Sequence, residues 1–302
     1  MAWRGVLLSR AARLSLDRAC CLVETEEGPI RLAFEDVAYL VLDTPQAVLT
    51  SALLARFAEA GVLVLTCDGK HLPNGALLPL QGHFRQVATL RRQLAASEGL
   101  KKRLWQRLVQ GKVANQGRVL RLLGRPGAAG LLAMAERVAP GDPEQIEARS
   151  AREYFRRLFP RFRRRHDDPD PRNAMLNYAY ALLRAGLARG LAAQGFHPAI
   201  GLWHASVDNA FNLADDLIEP FRPLADLHVA RHAERRPDGG DELTVLDRRE
   251  LARLLVAELR LGGEIVTMVT AIERMADGLL AALERKDPAL LPLPEPLGGG
   301  DA

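Results

Sequence analysis

A cluster of acidic residues ahead of a proline is the first group in the chain that could do chemistry. Asp215, Asp216 and Glu219 precede Pro220, and in a helix their spacing of three and four residues puts the carboxylates on one side of the last turn. Pro220 has no backbone donor, so it stops or kinks the helix there. Carboxylates at a helix C-terminus face the negative end of the dipole, which is unfavourable unless a cation lies among them. The pattern therefore favours a metal ion.

His204 is a candidate ligand for the same ion. It precedes Asp216 by 12 residues, and at about 1.5 Å of rise per residue one straight helix would separate the two by roughly 18 Å. A shared site therefore requires either that His204 lies in a preceding loop that folds back or that the helix is irregular. The alternative is a core histidine with a hydrogen-bond partner of its own.

Glu147 is a second candidate carboxylate. Asp142 and Pro143 predict a helix that begins with Asp142 as N-cap and Pro143 as its first residue. In that helix Glu147 shares a stripe with Tyr154, and a carboxylate on a buried face needs a cation, a metal ion or a proton. The alternative places Glu147 at the edge of the stripe, paired with Arg152.

Basic residues are concentrated in the middle of the chain. The formal net charge of the 302 residues is only +4, but residues 81–165 carry 20 basic and 6 acidic side chains, whereas 1–80 carry 7 and 9 and 166–302 carry 14 and 22. Of the 41 basic residues 36 are Arg, the side chain best suited to phosphate. The distribution indicates a nucleic-acid partner, and the alternative is a solvated face in an Arg-rich protein.

Two regions with different patterns must position these groups. Short apolar runs punctuated by polar residues predict strands at 3–8, 14–16, 20–23, 30–34, 38–42 and 62–65, with a helix at 46–60 capped by Thr44. Later segments have helical spacing, at 84–96, 101–110, 116–123, 143–158, 173–194, 205–218, 248–261 and 263–284. The fold class predicted is α+β, with a small β-sandwich-like domain over 1–78 and a larger all-α domain over 79–302. The tail 287–302, rich in Pro and Gly, is expected to be disordered.

Several function classes are excluded or disfavoured by composition. Three Cys without metal spacing suit a reducing compartment. The first residues lack a continuous signal-peptide core, and no apolar run reaches the roughly 18 residues of a membrane helix. A soluble protein of the cytoplasm without membrane contact is therefore expected. The chain also lacks a Walker-type phosphate loop.

Four sequence blocks lie in the second half of the chain: DPRNAMLNYAYALL at 170–183, GFHP at 195–198, GLWH at 201–204 and FNLADDLIEPFRP at 211–223. Together these blocks resemble the CRISPR-associated spacer integrases, the Cas-one family. Trp3-Arg4, the segment CDGKHLP at 67–73, and KKRLWQ at 101–106 followed by Asn115-Gln116 resemble its type II branch. The resemblance spans nearly the whole chain.

The resemblance implies a metal site and a reaction. It assigns Glu147, His204 and Glu219 as catalytic metal ligands, with Asp216 as a candidate outer acid. An oxygen and imidazole set suits Mg²⁺ or Mn²⁺. The implied activity is a metal-dependent DNA endonuclease and integrase that inserts prespacer DNA into the repeat array by attack of a 3′-hydroxyl.

Partners and DNA contacts also follow from the resemblance. It implies a homodimer formed by the N-terminal domain, a Cas-two companion in a heteromeric complex, and contact with the RNA-guided effector nuclease. The side chains expected to follow DNA phosphates are Arg85, Arg91, Arg92, Lys101, Lys102, Arg103, Arg107, Lys112, Arg149, Arg152, Arg156 and Arg157. Two other functions stay open: a stand-alone nuclease or resolvase of branched DNA, and a non-catalytic DNA-binding adaptor.

Overall fold

The N-terminal region consists of strands with one helix. The structure, a computed structural model, describes residues 4–78, 86–164, 170–236 and 242–298. The first elements are β1 (Arg4–Leu8), β2 (Ala12–Asp17), β3 (Cys20–Thr25), β4 (Gly28–Ala33), β5 (Val37–Leu42), β6 (Ala47–Leu49), α1 (Ser51–Glu59), β7 (Leu63–Cys67) and β8 (Pro73–Ala76). The predicted helix at 46–60 is shorter than expected, because residues 47–49 pair with β2 and Thr50, not Thr44, caps α1.

These strands form two sheets that share one core. One sheet has the order β1-β5-β7-β8, with β1, β5 and β7 parallel, and the other has the order β4-β3-β2-β6. Leu40 and Leu42 of β5 face the second sheet, while Tyr39 and Val41 face the helices. A parallel sheet covered on both faces needs apolar residues at every position, and all six residues of β5 are buried.

The rest of the described chain is mostly helical. Its helices are α2 (Gln86–Leu94), α3 (Glu98–Leu122), α4 (Ala128–Glu136), α5 (Ile146–Leu158), α6 (Pro171–Ala193), α7 (Asn212–Leu217), α8 (Arg222–Arg235), α9 (Val245–Ala252) and α10 (Met268–Arg285). The two helices predicted at 101–110 and 116–123 are the single helix α3. The predicted α+β class, with strands first and mostly helices afterwards, is confirmed. Within the described ranges, none of the helices has the length and apolar character needed to cross a membrane.

The C-terminal region also contains a small sheet that the sequence did not predict. Strands β9 (Glu258–Leu261), β10 (Glu264–Thr267) and β11 (Pro294–Glu295) pair in the order β10-β9-β11. Residues 258–261 and 264–267 were expected to be helical, but they form a tight antiparallel pair through Gly262 and Gly263, both of which have positive φ. The region is therefore helical with this one addition.

The tail is ordered as far as residue 298, contrary to expectation. Leu291 is fully buried, and the carbonyl oxygens of Leu291 and Pro294 accept hydrogen bonds from Arg107 and Asn115 of α3. Residues 299–302, the remainder of the predicted disordered tail, lie outside the described residues, as do 79–85, where the domain boundary near residue 78 was predicted.

Candidate metal centre

A short helix and the loop before it bring His204 to Asp216. Of the predicted helix at 205–218 only α7 is helical, and residues 204–210 form a loop. His204 Nδ1 lies 2.7 Å from Asp216 Oδ1. The folded-back loop, one of the two arrangements that allow a shared site, is therefore present. The core-histidine alternative is wrong, because 44% of the His204 side chain is exposed.

Asp216 holds this loop through four donors. Its carboxylate is completely buried and accepts from the backbone N–H groups of Leu202 (2.6 Å), Trp203 (3.0 Å) and His204 (3.0 Å) besides the imidazole. A Cβ at Gly201 would lie 2.2 Å from the His204 oxygen and 2.8 Å from Asp216 Oδ2, so only glycine fits the close approach. Asp216 therefore positions His204, as an outer acid would.

The hydrogen bond to Asp216 sets the state of the imidazole. It raises the pKa of His204 above its ordinary value, against the lowering effect of burial. Because the Asp216 carboxylate accepts a hydrogen bond from Nδ1, the neutral ring carries its proton on Nδ1. The lone pair of Nε2 is then free to bind a metal ion. A carboxylate that orients a histidine in this way is the usual arrangement behind a metal-bound imidazole.

Glu147 and Glu219 meet at a common cation, the ammonium of Lys112. Lys112 lies on α3, and its Nζ contacts Glu147 Oε1 and Glu219 Oε2. The side chains of Lys112 and Glu219 are each 8% exposed and that of Glu147 31%. The exposed fraction of Glu147 fits a position at the edge of the stripe, but its partner is Lys112 rather than Arg152, whose Nε donates to the Ala148 oxygen.

Local backbone geometry fixes the position of each carboxylate. The helix α5 begins at Ile146 rather than at Pro143, and the carboxylate of Asp142 accepts from the backbone N–H groups of Ile146 (2.8 Å) and Glu147 (2.9 Å). Asp142 was predicted to be the N-cap of this helix. It lies three residues before the actual N-cap, Gln145, but its carboxylate still accepts hydrogen bonds from the first turn. On the other side, Asn115 of α3 donates to the Pro220 oxygen at 2.9 Å, next to Glu219.

The charges around Glu219 favour its ionised form. Burial raises the pKa of Glu219, but Lys112 and Arg222 outweigh that effect, so the pKa lies below its ordinary value. Arg222 Nε lies 3.0 Å from Glu219 Oε1. Burial lowers the pKa of Lys112, and the charges of Glu219 and Glu147 more than offset it. The two carboxylates and two cations therefore form a buried, balanced group.

The donor set fits a divalent metal ion, although a lysine lies between the carboxylates. Glu147 and Glu219 already converge on one positive charge, the ammonium of Lys112. Carboxylate oxygens with one imidazole suit Mg²⁺ or Mn²⁺. Across the part of the chain that the structure describes, no three His, Cys, Asp or Glu side chains form a cluster that could hold a metal ion. Glu147 and Glu219 share the Lys112 ammonium, and the charge of Glu219 acts on the His204 imidazole, but the three side chains do not form a coordination sphere within the described ranges.

The surroundings of the imidazole include an aromatic stack and a cavity. The rings of Trp105 and Trp203 are stacked at 5.6 Å between centroids, and Trp105 meets the His204 ring edge-on. A cavity of about 500 Å³ is lined by residues that include Tyr180, Arg184, His204, Asp215 and Arg222. His204 is therefore reachable from a cavity with polar and apolar walls.

The basic residues predicted to contact DNA include exposed side chains and partly or fully buried ones that are bonded within the protein. The exposed ones are Arg91, Lys102, Arg103, Arg149, Arg152 and Arg156, of which Arg149 pairs with Glu144 and Arg156 with Glu153 at the surface. Arg92 pairs with Glu284, Lys101 with Glu98, and Arg157 with Glu153. Arg107 donates to the Leu291 oxygen, Lys112 is bound to the two carboxylates, and Arg85 lies outside the described residues. On α5, Arg149, Arg152 and Arg156 lie opposite the buried face and on the helix that carries Glu147.

Comparison with known proteins identifies the family. The family model described as CRISPR associated protein Cas1 matches residues 6–241. The chain is 39% identical over 296 residues to the CRISPR-associated endonuclease Cas1 of Neisseria meningitidis serogroup C (strain 8013), covering 98% of this chain and 97% of the relative. This chain belongs to the Cas1 family.

Solved structures share the Cas1 fold at low sequence identity. A casposase bound to integration product superposes with a TM-score of 0.74 at 19% identity, covering 94% of this chain and 91% of that chain. A Cas6-RT-Cas1–Cas2 complex chain superposes with a TM-score of 0.68 at 18% identity, covering 95% of this chain and 36% of that chain. These superpositions show that the chain shares the fold of these proteins.

Proposed function

We propose that this Cas1 chain is a divalent-metal-dependent DNA integrase and endonuclease of the type II branch, which inserts prespacer DNA into the CRISPR repeat array. The observation that carries the proposal is the convergence of Glu147 and Glu219 on one cationic centre, beside the imidazole of His204 that Asp216 holds. Buried carboxylates and an oriented imidazole are the groups from which a Mg²⁺ or Mn²⁺ site is built.

The reaction exchanges one phosphodiester for another. The 3′-hydroxyl oxygen of the prespacer attacks the phosphorus atom at the 5′ end of a repeat strand and forms a new P–O bond, while the bond from that phosphorus to the 3′ oxygen of the flanking nucleotide breaks. The attacking hydroxyl loses its proton to solvent and the leaving oxygen gains one, so no nucleoside triphosphate is consumed. A bound divalent ion supplies Lewis acidity to the phosphate and stabilises charge on the leaving oxygen. With water in place of the hydroxyl the same site is a nuclease.

The residues of this chain have separate roles in that reaction. Glu147, Glu219 and His204 hold the ion, and Asp216 fixes the His204 ring. Arg222, 3.0 Å from Glu219, orients that carboxylate. The exposed Arg149, Arg152 and Arg156 bind phosphates along α5, leading the DNA to the helix end that carries Glu147.

The partners belong to the same proposal. DNA of both prespacer and repeat, a second Cas1 chain and a Cas2 companion form the integration complex, with the RNA-guided effector nuclease as a further contact, in the cytoplasm. A solved neighbour contains Cas1 with Cas2, and another is bound to an integration product; both support the proposed partners.

The test is an integration assay with matched variants. Purified protein, Cas2, Mn²⁺, a fluorescent prespacer and a repeat-bearing plasmid are incubated, and joined product is resolved on a gel. Glu147→Gln, His204→Ala and Glu219→Gln are expected to abolish joining, because each removes a proposed ligand. Glu136→Gln changes an exposed carboxylate at the end of α4 and serves as the control.

The outcomes separate the proposal from its two rivals. Joined product that depends on Mn²⁺ and on all three ligands supports an integrase. Degradation of the plasmid without joining, with or without Cas2, points instead to a stand-alone nuclease or resolvase. DNA binding with neither joining nor cleavage, unchanged in the three variants, points to an adaptor and refutes the catalytic assignment.

A further inference from the structure

Lys112 is an unusual neighbour for a metal site. Its side chain is 8% exposed and contacts both Glu147 and Glu219, the two carboxylates assigned to the metal ion. It extends from the middle of α3, where the flanking residues Gly111 and Val113 are buried as well. A lysine held in this way cannot serve as a surface contact for DNA without leaving both carboxylates.

The position of Lys112 is fixed by the helix that carries it. Asn115, three residues further along α3, donates to the backbone oxygens of Pro220 (2.9 Å) and Pro294 (2.7 Å). A Cβ at Gly111 would lie 3.1 Å from Leu293 and 3.2 Å from Pro220. The helix is therefore packed tightly against the segment after Glu219, and only the flexible lysine side chain is able to move.

The charges of the site are balanced without any ion. Glu147 and Glu219 contribute two negative charges, and Lys112 and Arg222 contribute two positive charges in contact with them. A divalent cation that entered beside Lys112 would leave two uncompensated positive charges in a poorly solvated place, which is costly. Such an ion needs either a displaced lysine or additional negative charge, and the phosphate of DNA supplies the latter.

We infer that Lys112 is a resident counter-cation which occupies the metal position in DNA-free Cas1 and moves to a phosphate oxygen when DNA and the metal ion bind. The inference rests on the proposed metal-dependent function. Lys112 is then a positioning residue in the free protein and a phosphate contact in the complex. Metal ion and DNA must consequently bind with positive coupling, and the coupling is reciprocal: each ligand raises the affinity of the other by the same factor.

The coupling is measured with Mn²⁺ as the probe. Free Mn²⁺ is followed by electron paramagnetic resonance as it is titrated into the full-length protein, with and without a DNA duplex. For the wild type, the affinity for Mn²⁺ is expected to rise at least tenfold when the duplex is present. For Lys112→Met, the affinity without DNA is expected to rise at least tenfold, and DNA then adds little.

Matched variants control for charge and for folding. Lys112→Arg keeps the cation and is expected to retain the coupling, whereas Lys286→Met removes an exposed lysine at the end of α10 and is expected to behave as wild type. Metal-free Lys112→Met is expected to unfold at a lower temperature than wild type, since it leaves two carboxylates facing each other. Mn²⁺ is expected to raise the unfolding temperature of this variant by more than it raises that of wild type. If Lys112→Met does not fold, Lys112→Gln is read by the same criteria.

Two results overturn the inference and one tests its premise. A folded Lys112→Met or Lys112→Gln protein with wild-type or weaker Mn²⁺ affinity shows that Lys112 does not compete with the ion. Wild-type affinity that is unaffected by DNA shows that no coupling exists. If instead neither wild type nor Lys112→Met binds Mn²⁺ more tightly than Glu219→Gln under any condition, the metal-dependent function itself fails.

Discussion

Replacing Asp216 by Asn tests whether this buried carboxylate organises the His204 loop. The carboxylate accepts from four donors, two at each oxygen: the backbone N–H groups of Leu202 and Trp203 at Oδ2, and the backbone and ring of His204 at Oδ1. An asparagine keeps the shape but replaces one oxygen by an NH₂ group. Two of the four donors therefore lose their acceptor.

The cost follows from the number of donors left unpaired. A buried donor without a partner costs about 1–3 kcal/mol, so two donors cost about 2–6 kcal/mol of unfolding free energy. The Leu202 residue is buried, whereas Trp203 and His204 are exposed to water that can replace a lost acceptor. The lower half of the range is therefore expected. Loss of a carboxylate behind a metal-bound histidine also lowers metal affinity or activity by about 10–100-fold.

Urea unfolding followed by circular dichroism, together with the integration assay, measures both effects. Asp208→Asn is the matched control, because Asp208 lies exposed on the same loop. The Asp216 variant is expected to unfold at lower urea with an unchanged slope and to join DNA at least tenfold more slowly. A variant with the wild-type midpoint and the wild-type rate would show that Asp216 does not position His204.

Three further predictions concern other parts of the chain. Arg103→Gln is expected to lower the slope of log affinity against log salt by about 0.9 for duplexes of unrelated sequence, as measured by fluorescence anisotropy, if the exposed Arg103 contacts one phosphate. Burial raises the pKa of Asp226 to about 6, so the folded state binds more protons than the unfolded state between pH 4 and pH 7. Wild-type stability is expected to fall by about 2 kcal/mol over that range relative to Asp226→Asn in urea titrations, and parallel curves would contradict this. Leu291→Ala is expected to cost about 2–5 kcal/mol in the same experiment, because Leu291 is fully buried, and a cost below 0.5 kcal/mol would mean that the tail does not pack.

Much of the fold follows from local sequence signals. Runs of apolar residues separated by turns identified the N-terminal strands, and Gly61 and Gly195, both with positive φ, end α1 and α6 as glycine does after helices. Other local signals were misinterpreted. Residues 258–261 and 264–267 were assigned to two helices, but the Gly262-Gly263 turn between them, with positive φ at both glycines, joins them as an antiparallel pair.

The tail illustrates the same limit. Its prolines and glycines are typical of a disordered end, yet proline at 294 occupies a strand edge where no donor is needed, and its carbonyl oxygen binds Asn115. Composition alone does not show that a buried amide elsewhere in the chain requires an acceptor. The packed tail was therefore not predictable from its own residues.

The candidate site was only partly predictable for a related reason. The helix-end argument at Pro220 and the need for a folded-back loop or an irregular helix both came from the residues, and the structure brings His204 to Asp216 as that argument required. The position of Lys112 between the two carboxylates was not predicted, because a lysine within an Arg-rich stretch is typical of a DNA contact. Its burial depends on how α3 crosses α5 and α7, which spacing along one helix does not encode.

The sheet β1-β5-β7-β8 limits how this protein can be divided. Its two faces belong to two different cores, one shared with the second sheet and one shared with the helices through Tyr39, Val41, Leu63 and Leu65. An N-terminal fragment expressed alone would present that second face to water as a continuous apolar surface, and such surfaces drive aggregation. In chimaeras of this chain with relatives, the sheet β1-β5-β7-β8 and the helices packed on it therefore have to be exchanged together. The N-terminal region is not an independently exchangeable domain, even though its sequence pattern is typical of one.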